Sequence, residues 1–553
     1  MLHRHRLLGP PGFARVKIGR RAGHDRMRRP WTALVIALAV TVGATSCTGA
    51  AAPPPRRVST RSAARTRPPA SATTVLSGPP DVIAAAAAET LLASAPVVVL
   101  ADPSRPGALA AAAADAVRVH APLLLTATGR VAGGQVRTTA ACRAGAPGAG
   151  RSCATVALVS RALQAQIQAL DPRAVLAVGV AGHALAASLP GIRVVTDLAM
   201  LPATKAPPPL DQVVLLVRQG GSGPGTLAAV TTARVAGVRV IGVSGDDPQA
   251  DPAAITALAA ARPRQVVAIG AGFGPAGQLA PRVAVAETGA QLPGGGQVLF
   301  PLHRLVALYG YPGTPSLGAL GQQGLRASIE RVRRLAAAYR ALSTVPVVPA
   351  FEIIATVAES FPGPDGDYSY QSSIAFLRPW VRRAIAAGMY VILDLQAGRA
   401  SLLAQAKLYK PLLMLPDVGL AVDPEWKLLP GQRPLRQIGS VSIGQVNGVV
   451  RWLAALTARY RLPQKLLVLH QFMLSMISNE QRLDTSHGDL AIVIHMDGQG
   501  TPANKDQTWD AVTSAAPPGV FFGWKNFFVK DHPMMSPQQT MARTPLPVMI
   551  SYQ

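Results

Sequence analysis

The sequence predicts an α/β protein in two parts: an N-terminal parallel α/β domain containing an internal repeat, then a C-terminal (β/α)8 TIM-like barrel. Three observations lead there. Short, continuously apolar runs alternate with Ala-rich helical stretches through the first half, the pattern of parallel strands covered on both faces. Two stretches of that half can be laid over one another. In the second half, eight strand-like runs with helices between them occupy about 250 residues, the dimensions of an eight-stranded barrel.

Composition supports large cores. The 553 residues are 49% hydrophobic and 15% charged, with mean hydropathy +0.26, which excludes wholesale disorder and a coiled-coil rod. The net charge of +26 is unevenly spread: residues 1–80 hold 14 Lys and Arg against the single acid Asp25, half of the excess. The remainder is mildly basic, aromatics total 5%, and no basic run is interleaved with stacking rings. No nucleic-acid partner is therefore expected.

The first element is a leader over 1–47. Its run TALVIALAVTVGATSC follows Met27-Arg-Arg-Pro-Trp, giving the basic and then apolar regions of an export signal, and Met27 is read as the start. The run is short for a spanning helix. Ala44-Thr45-Ser46-Cys47 resembles a bacterial lipobox, with Ala in place of the usual Leu. The resemblance implies lipidation at Cys47 and a lipid anchor on the outer face of the cell membrane. A plain signal peptide cut at a small residue, with release to the cell wall or medium, and an uncleaved anchor are the other readings. Residues 48–80, rich in Pro, Ala, Arg, Ser and Thr, read as a disordered tether.

Residues 81–293 form the α/β domain. Its strands are read at 97–100, 123–126, 154–160, 174–180, 213–217, 238–245 and 265–271. The stretch from Gly107 to PLLL matches that from Gly225 to VRVI, and Pro172-Arg-Ala-Val-Leu-Ala-Val-Gly matches Pro263-Arg-Gln-Val-Val-Ala-Ile-Gly, so two related halves are expected. The segment VVVLADPSRPGALAAAAADAVRVHAPLLLT, with DPRAVLAVGVAGHAL about fifty residues on, resembles the bacterial cell-wall-binding repeat 2 family. That resemblance implies attachment to anionic wall polymers. Cys142 and Cys153 bracket a Gly/Ala/Pro/Arg loop and are expected to pair as a disulfide outside the cytoplasm, worth on the order of 3 kcal/mol. A metal there would need more ligands than the neighbourhood offers. GAGFG at 270–274 lacks the spacing of a dinucleotide fingerprint and reads as a tight turn.

After the Gly/Pro boundary LPGGG, residues 297–553 carry the barrel, with strands at 305–310, 345–353, 390–396, 419–426, 465–472, 490–498, 519–527 and 547–553. Helices are read over 322–342, 371–387, 399–409 and 443–460. Polar residues gather at the C-terminal ends of strands two to eight, where barrel enzymes keep their sites. Five acids are catalytic candidates: Glu425, Asp423, Asp394, Glu352 and Asp497. Converging carboxylates without a cofactor motif suit glycosidic-bond cleavage, in which one carboxyl stays protonated and another ionised. The run Asp423-Pro424-Glu425-Trp426 makes Glu425 the preferred acid, with Asp394 or Asp423 as its ionised partner. A single such acid is equally a helix cap or a loop anchor.

His470, Gln471, His495, Trp426, Trp524, Lys525 and Tyr552 are candidate substrate contacts. The two histidines read as hydrogen-bonded orienters, site residues or metal ligands, and the aromatics as sugar-stacking platforms or rim packing. No HxH or HExxH spacing is present in residues 297–553, so neither a metal nor a cofactor is expected there. The expected partners are a cell-wall or surface polysaccharide and, through Cys47, the membrane. Two other readings stay open: a non-catalytic glycan-binding lipoprotein, and a solute-binding receptor built on residues 82–293.

Overall fold

The computed structural model describes residues 61–126 and 160–553. The leader, Cys47, Cys142, Cys153 and all but the last residue of the strand read at 154–160 lie outside the described residues, and the described residues belong to one compact unit. No helix among the described residues is long and apolar enough to cross a membrane.

Each repeat half builds its own four-stranded parallel sheet. The first runs in the spatial order Leu123–Leu125, Val97–Ala101, Ala174–Val178, Arg193–Val195. The second runs Arg239–Val243, Val213–Arg218, Gln265–Ile269, Thr73–Leu76. The matched sequence stretches thus become matched elements, with helices Pro106–Arg118 and Pro224–Val235 in equivalent places.

The tether reading of 48–80 needs correction for its described part. Thr73–Leu76 completes the edge of the second sheet beside Gln265–Ile269, Ser62–Ala63 pairs with Thr204–Lys205, and Arg65–Thr66 pairs with Leu92–Ser94. The run Thr-Thr-Val-Leu is β-prone, and pairing meets the hydrogen-bonding demand of an otherwise open edge. Because this strand precedes the first half in sequence but belongs to the second sheet, the halves are interlocked.

Helix Pro80–Leu91 seals the junction by crossing Pro224–Val235 at Gly225, where a Cβ would lie 2.9 Å from Pro80 Cα and 3.2 Å from Ile83 Cβ. Gly225→Val forces the crossing apart. It is expected to cost about 1–3 kcal/mol, read as a lower urea midpoint; an unchanged midpoint would show that the contact gives way freely.

The second part is a closed barrel of eight parallel strands: β1 Arg304–Gly310, β2 Val347–Ala358, β3 Tyr390–Leu395, β4 Val418–Val422, β5 Lys465–Gln471, β6 Leu490–Met496, β7 Phe521–Asn526 and β8 Met549–Tyr552. β8 pairs back to β1. Helices cover the outside. Leu325–Arg340 places Val332, Ala336 and Tyr339 in the same buried cluster as Val306, Leu308, Phe351 and Ile353; Ile374–Ala386 and Ile443–Arg459 add Leu377, Val381, Val446 and Val450 to it.

Strand alternation turns the other residues inward. Leu305, Ala307, Val348, Ala350, Tyr390, Ile392, Ala421, Leu466, Val468, Ala491, Val493 and Met549 fill the lower half of the barrel. Leu292, Leu299 and Phe300, from the boundary segment, belong to the same cluster and close the barrel floor. That segment is firmly pinned: the Gln297 amide donates to Val285 O at 3.0 Å and Ala290 O at 2.7 Å, and Leu299 N donates to Gln464 Oε1 at 2.9 Å.

Candidate active site

Above the apolar layers the same inward positions turn polar. Continuing each strand by two residues brings Tyr309, Glu352, Asp394, Asp423, His470, His495, Lys525 and Ser551 to the C-terminal end of the lumen. His470 and His495 are register partners on β5 and β6, and their rings stack at 5.2 Å with an interplanar angle of 19°.

His470 is the hub of the deep layer. Its Nε2 lies 3.0 Å from Glu352 Oε1 and 4.0 Å from Asp394 Oδ1, and its Nδ1 lies 3.2 Å from Asp497 Oδ2, all in buried surroundings. Burial is the largest influence and disfavours the charge, but Glu352 and Asp497 outweigh it and hold the imidazole pKa well above its usual value. The protonated ring then donates from Nε2 to Glu352 and sets its Nδ1 edge against Asp497 as an ion pair. His495 takes the opposite state. Burial first, and then the His470 charge, push it well below the ordinary value, and its Nε2 shares a hydrogen bond with Ser551 Oγ at 2.9 Å.

A second chain of contacts leads upward. Tyr309 O–H donates to Asp394 Oδ2 at 2.9 Å, and the Gln396 amide donates to Tyr309 Oη at 3.3 Å. Burial raises Asp394 to about 6, and burial with the neighbouring carboxylates keeps the Tyr309 phenol protonated. Lys525 Nζ sits 3.7 Å from the Tyr309 ring centroid and 3.9 Å from Asp497 Oδ2, so one cation serves a π face and a carboxylate.

These groups floor a cavity of about 300 Å³, lined by Tyr309, Gln396, Asp423, Glu425, Trp426, Asp497, Lys525 and Lys530 among others. Glu425 rides on a 3-10 turn, Pro424–Trp426, directly after β4. Its carboxyl rises to about 7, through burial and then the negative charge of Asp497. Asp423 rises well above the carboxylate range through burial and then Asp394. Asp497 goes the other way: burial would raise it, but the His470 bond and Lys525 bring it below the ordinary value.

Of the five candidate acids, Asp423, Glu425 and Asp497 reach the cavity, whereas Glu352 and Asp394 lie beneath it as supports. His470 and His495 are also support residues, and Lys525 and Trp426 reach the cavity wall. Three candidate contacts are corrected. Trp524 faces outward with Met496, Trp509 and Met535, its Nε1 donating to Asn526 Oδ1 at 2.9 Å. Tyr552 also faces outward, and its hydroxyl meets that of Tyr339 at 2.6 Å. Gln471 is turned from the cavity and its amide donates to Glu480 Oε2 at 2.9 Å. In each case strand alternation is the reason, because the neighbours Lys525, Ser551 and His470 take the lumen.

Tyr309, Ser551 and Lys530 are additions to the predicted set. Tyr309 was visible in principle, two residues beyond Ala307 on the alternation that also carries Leu305 inward. Among the described residues no three His, Cys, Asp or Glu side chains converge as a metal site would require. No known family model matches the chain, and no curated protein matches it.

Proposed function

We propose that the barrel is a glycoside hydrolase acting on a cell-surface or cell-wall polysaccharide, with Glu425 as proton donor and Asp497 as the ionised partner. One observation carries this reading. Two carboxyls line one cavity in environments that drive their proton affinities apart, Glu425 up to about 7 and Asp497 below the ordinary range. Such divergence is how a pair of like groups divides the roles of acid and base. The sequence reading preferred Asp394 or Asp423 as the ionised member, but burial raises both.

In the proposed reaction the glycosidic C–O bond breaks as Glu425 gives its proton to the departing oxygen. Asp497 serves the anomeric carbon, by activating water or by direct attack, and water supplies the hydroxyl of the new reducing end. Lys525 and His470 hold Asp497 in position. Export, lipidation at Cys47 and wall attachment through the N-terminal domain complete the proposal and would place the barrel beside its polymer.

Glu425 must be protonated to act, so kcat/KM should fall as pH rises through about 7. Reducing-end release from bacterial wall and capsular polysaccharides, followed from pH 5 to 9, tests this. A rate that climbs across that window contradicts the assignment of Glu425 as acid.

A second reading, a glycan-binding barrel without turnover, is favoured by the commitment of Asp497 to both His470 and Lys525. Saturable polysaccharide binding with no reducing ends released from wild-type protein would select it.

A further inference from the structure

The loop that carries Glu425 also builds a second cavity. Beyond the Pro424–Trp426 turn the chain runs out and returns, so that Gly439 N donates to Glu425 O at 2.7 Å and Ser440 N to Lys427 O at 3.2 Å. A Cβ at Gly439 would lie 2.5 Å from Glu425 O, so the returning backbone packs directly on the turn. The far end is moored separately, with Arg399 Nη2 donating to Gln432 O at 2.8 Å. Between these anchors Leu435 sits at φ 62° and is 79% exposed. Left-handed backbone at a leucine whose side chain gains no burial is strain of the kind retained at ligand sites.

Leu435, Arg436 and Ile438 wall an open cavity of about 350 Å³ whose inner side is Glu425 and Trp426. Glu425 and Trp426 therefore line both cavities, whereas Asp497 lines only the first. We propose that the second cavity is the leaving-group subsite, taking the sugars beyond the scissile bond, and that Arg436 selects chains whose sugars carry carboxylates.

This rests on the hydrolase reading of Glu425 and Asp497. The ionised carboxylate must face the anomeric carbon and the donor the departing oxygen, so the attacked sugar occupies the Asp497 side and the departing sugar lies across Glu425. Room on both sides of the acid fits cleavage within a chain. The charge pattern adds the substrate class: the acids are confined to the centre, and exposed cations, Lys530 on the first cavity and Arg436 on the second, flank it. The Trp426 ring offers a stacking face for a pyranose.

The test uses tetrasaccharides containing uronic acid, and their carboxyl-reduced counterparts, titrated calorimetrically into full-length Glu425→Gln protein with and without Arg436→Gln or Trp426→Ala. The acidic forms should bind more tightly than the reduced ones. Arg436→Gln should weaken the acidic forms about two- to fivefold and leave the reduced forms unchanged, while Trp426→Ala weakens both roughly tenfold. If Arg436→Gln affects both forms alike, or neither, the subsite is wrong. Reducing-end release by wild-type protein and by the single variant Arg436→Gln from the same oligosaccharides separates the two claims. Charge-selective binding without release overturns the hydrolase reading and the leaving-group role together. Release that does not depend on Arg436 overturns the subsite alone.

Discussion

Glu425→Gln should lower kcat on the polysaccharide by about 10²–10⁴-fold, the usual contribution of a positioned general acid, with the unfolding midpoint little changed. Glutamine keeps the size and planar shape of the protonated carboxyl but has no proton to give. Because wild-type Glu425 titrates near 7, the decline in rate above that pH should vanish in the variant along with most of the rate. Initial rates across pH 5–9, compared with urea unfolding of both proteins, separate this from a folding defect. Full activity in the variant would remove Glu425 from the acid role.

His470→Leu should be the most destabilising substitution in the site, at about 3–5 kcal/mol, because it leaves buried carboxylates without their cation. Glu352 and Asp497 both lean on this imidazolium, and the second neighbour, Lys525, is 3.9 Å from Asp497. The folded-state pKa of His470 is raised above an unfolded value of about 6.5. Its stabilising contribution is therefore complete below about 6.5 and drains away as pH rises through the folded value. The comparison belongs at pH 6, by urea denaturation. Adding Glu352→Leu to His470→Leu should recover part of the loss, since one orphaned charge is removed. Equal midpoints for wild type and single variant would mean that the cluster contributes nothing net.

How far the site could be read from sequence depends on side-chain alternation. The eight barrel strands stand close to their expected positions because each is a short apolar run followed by polar residues, and helices separate them as expected. The acids at strand ends were equally plain. Adjacent residues such as Trp524 and Lys525, or His470 and Gln471, cannot share one face of a strand, yet composition alone does not say which of them turns inward. That choice is made by the whole barrel, through the register of each strand with its neighbours.

Pairing at a distance explains the other departure. Thr73–Leu76 sits in a polar, Pro-rich stretch and is ordered by a sheet edge nearly two hundred positions away, which no local pattern reveals. The proton affinities of Glu425 and Asp497 were similarly hidden, since they depend on burial and on which charged groups the fold brings beside each carboxyl.

The stopper formed by Leu292, Leu299 and Phe300 makes the lumen a blind pouch with a single mouth. Substrate and products must use the same doorway, so a long polymer has to lie across the opening rather than thread through. The stopper also belongs to the linker between the two parts. An excised barrel starting at β1 would lose its base and admit water among the hydrophobic layers, so a freestanding barrel has to begin before Leu292.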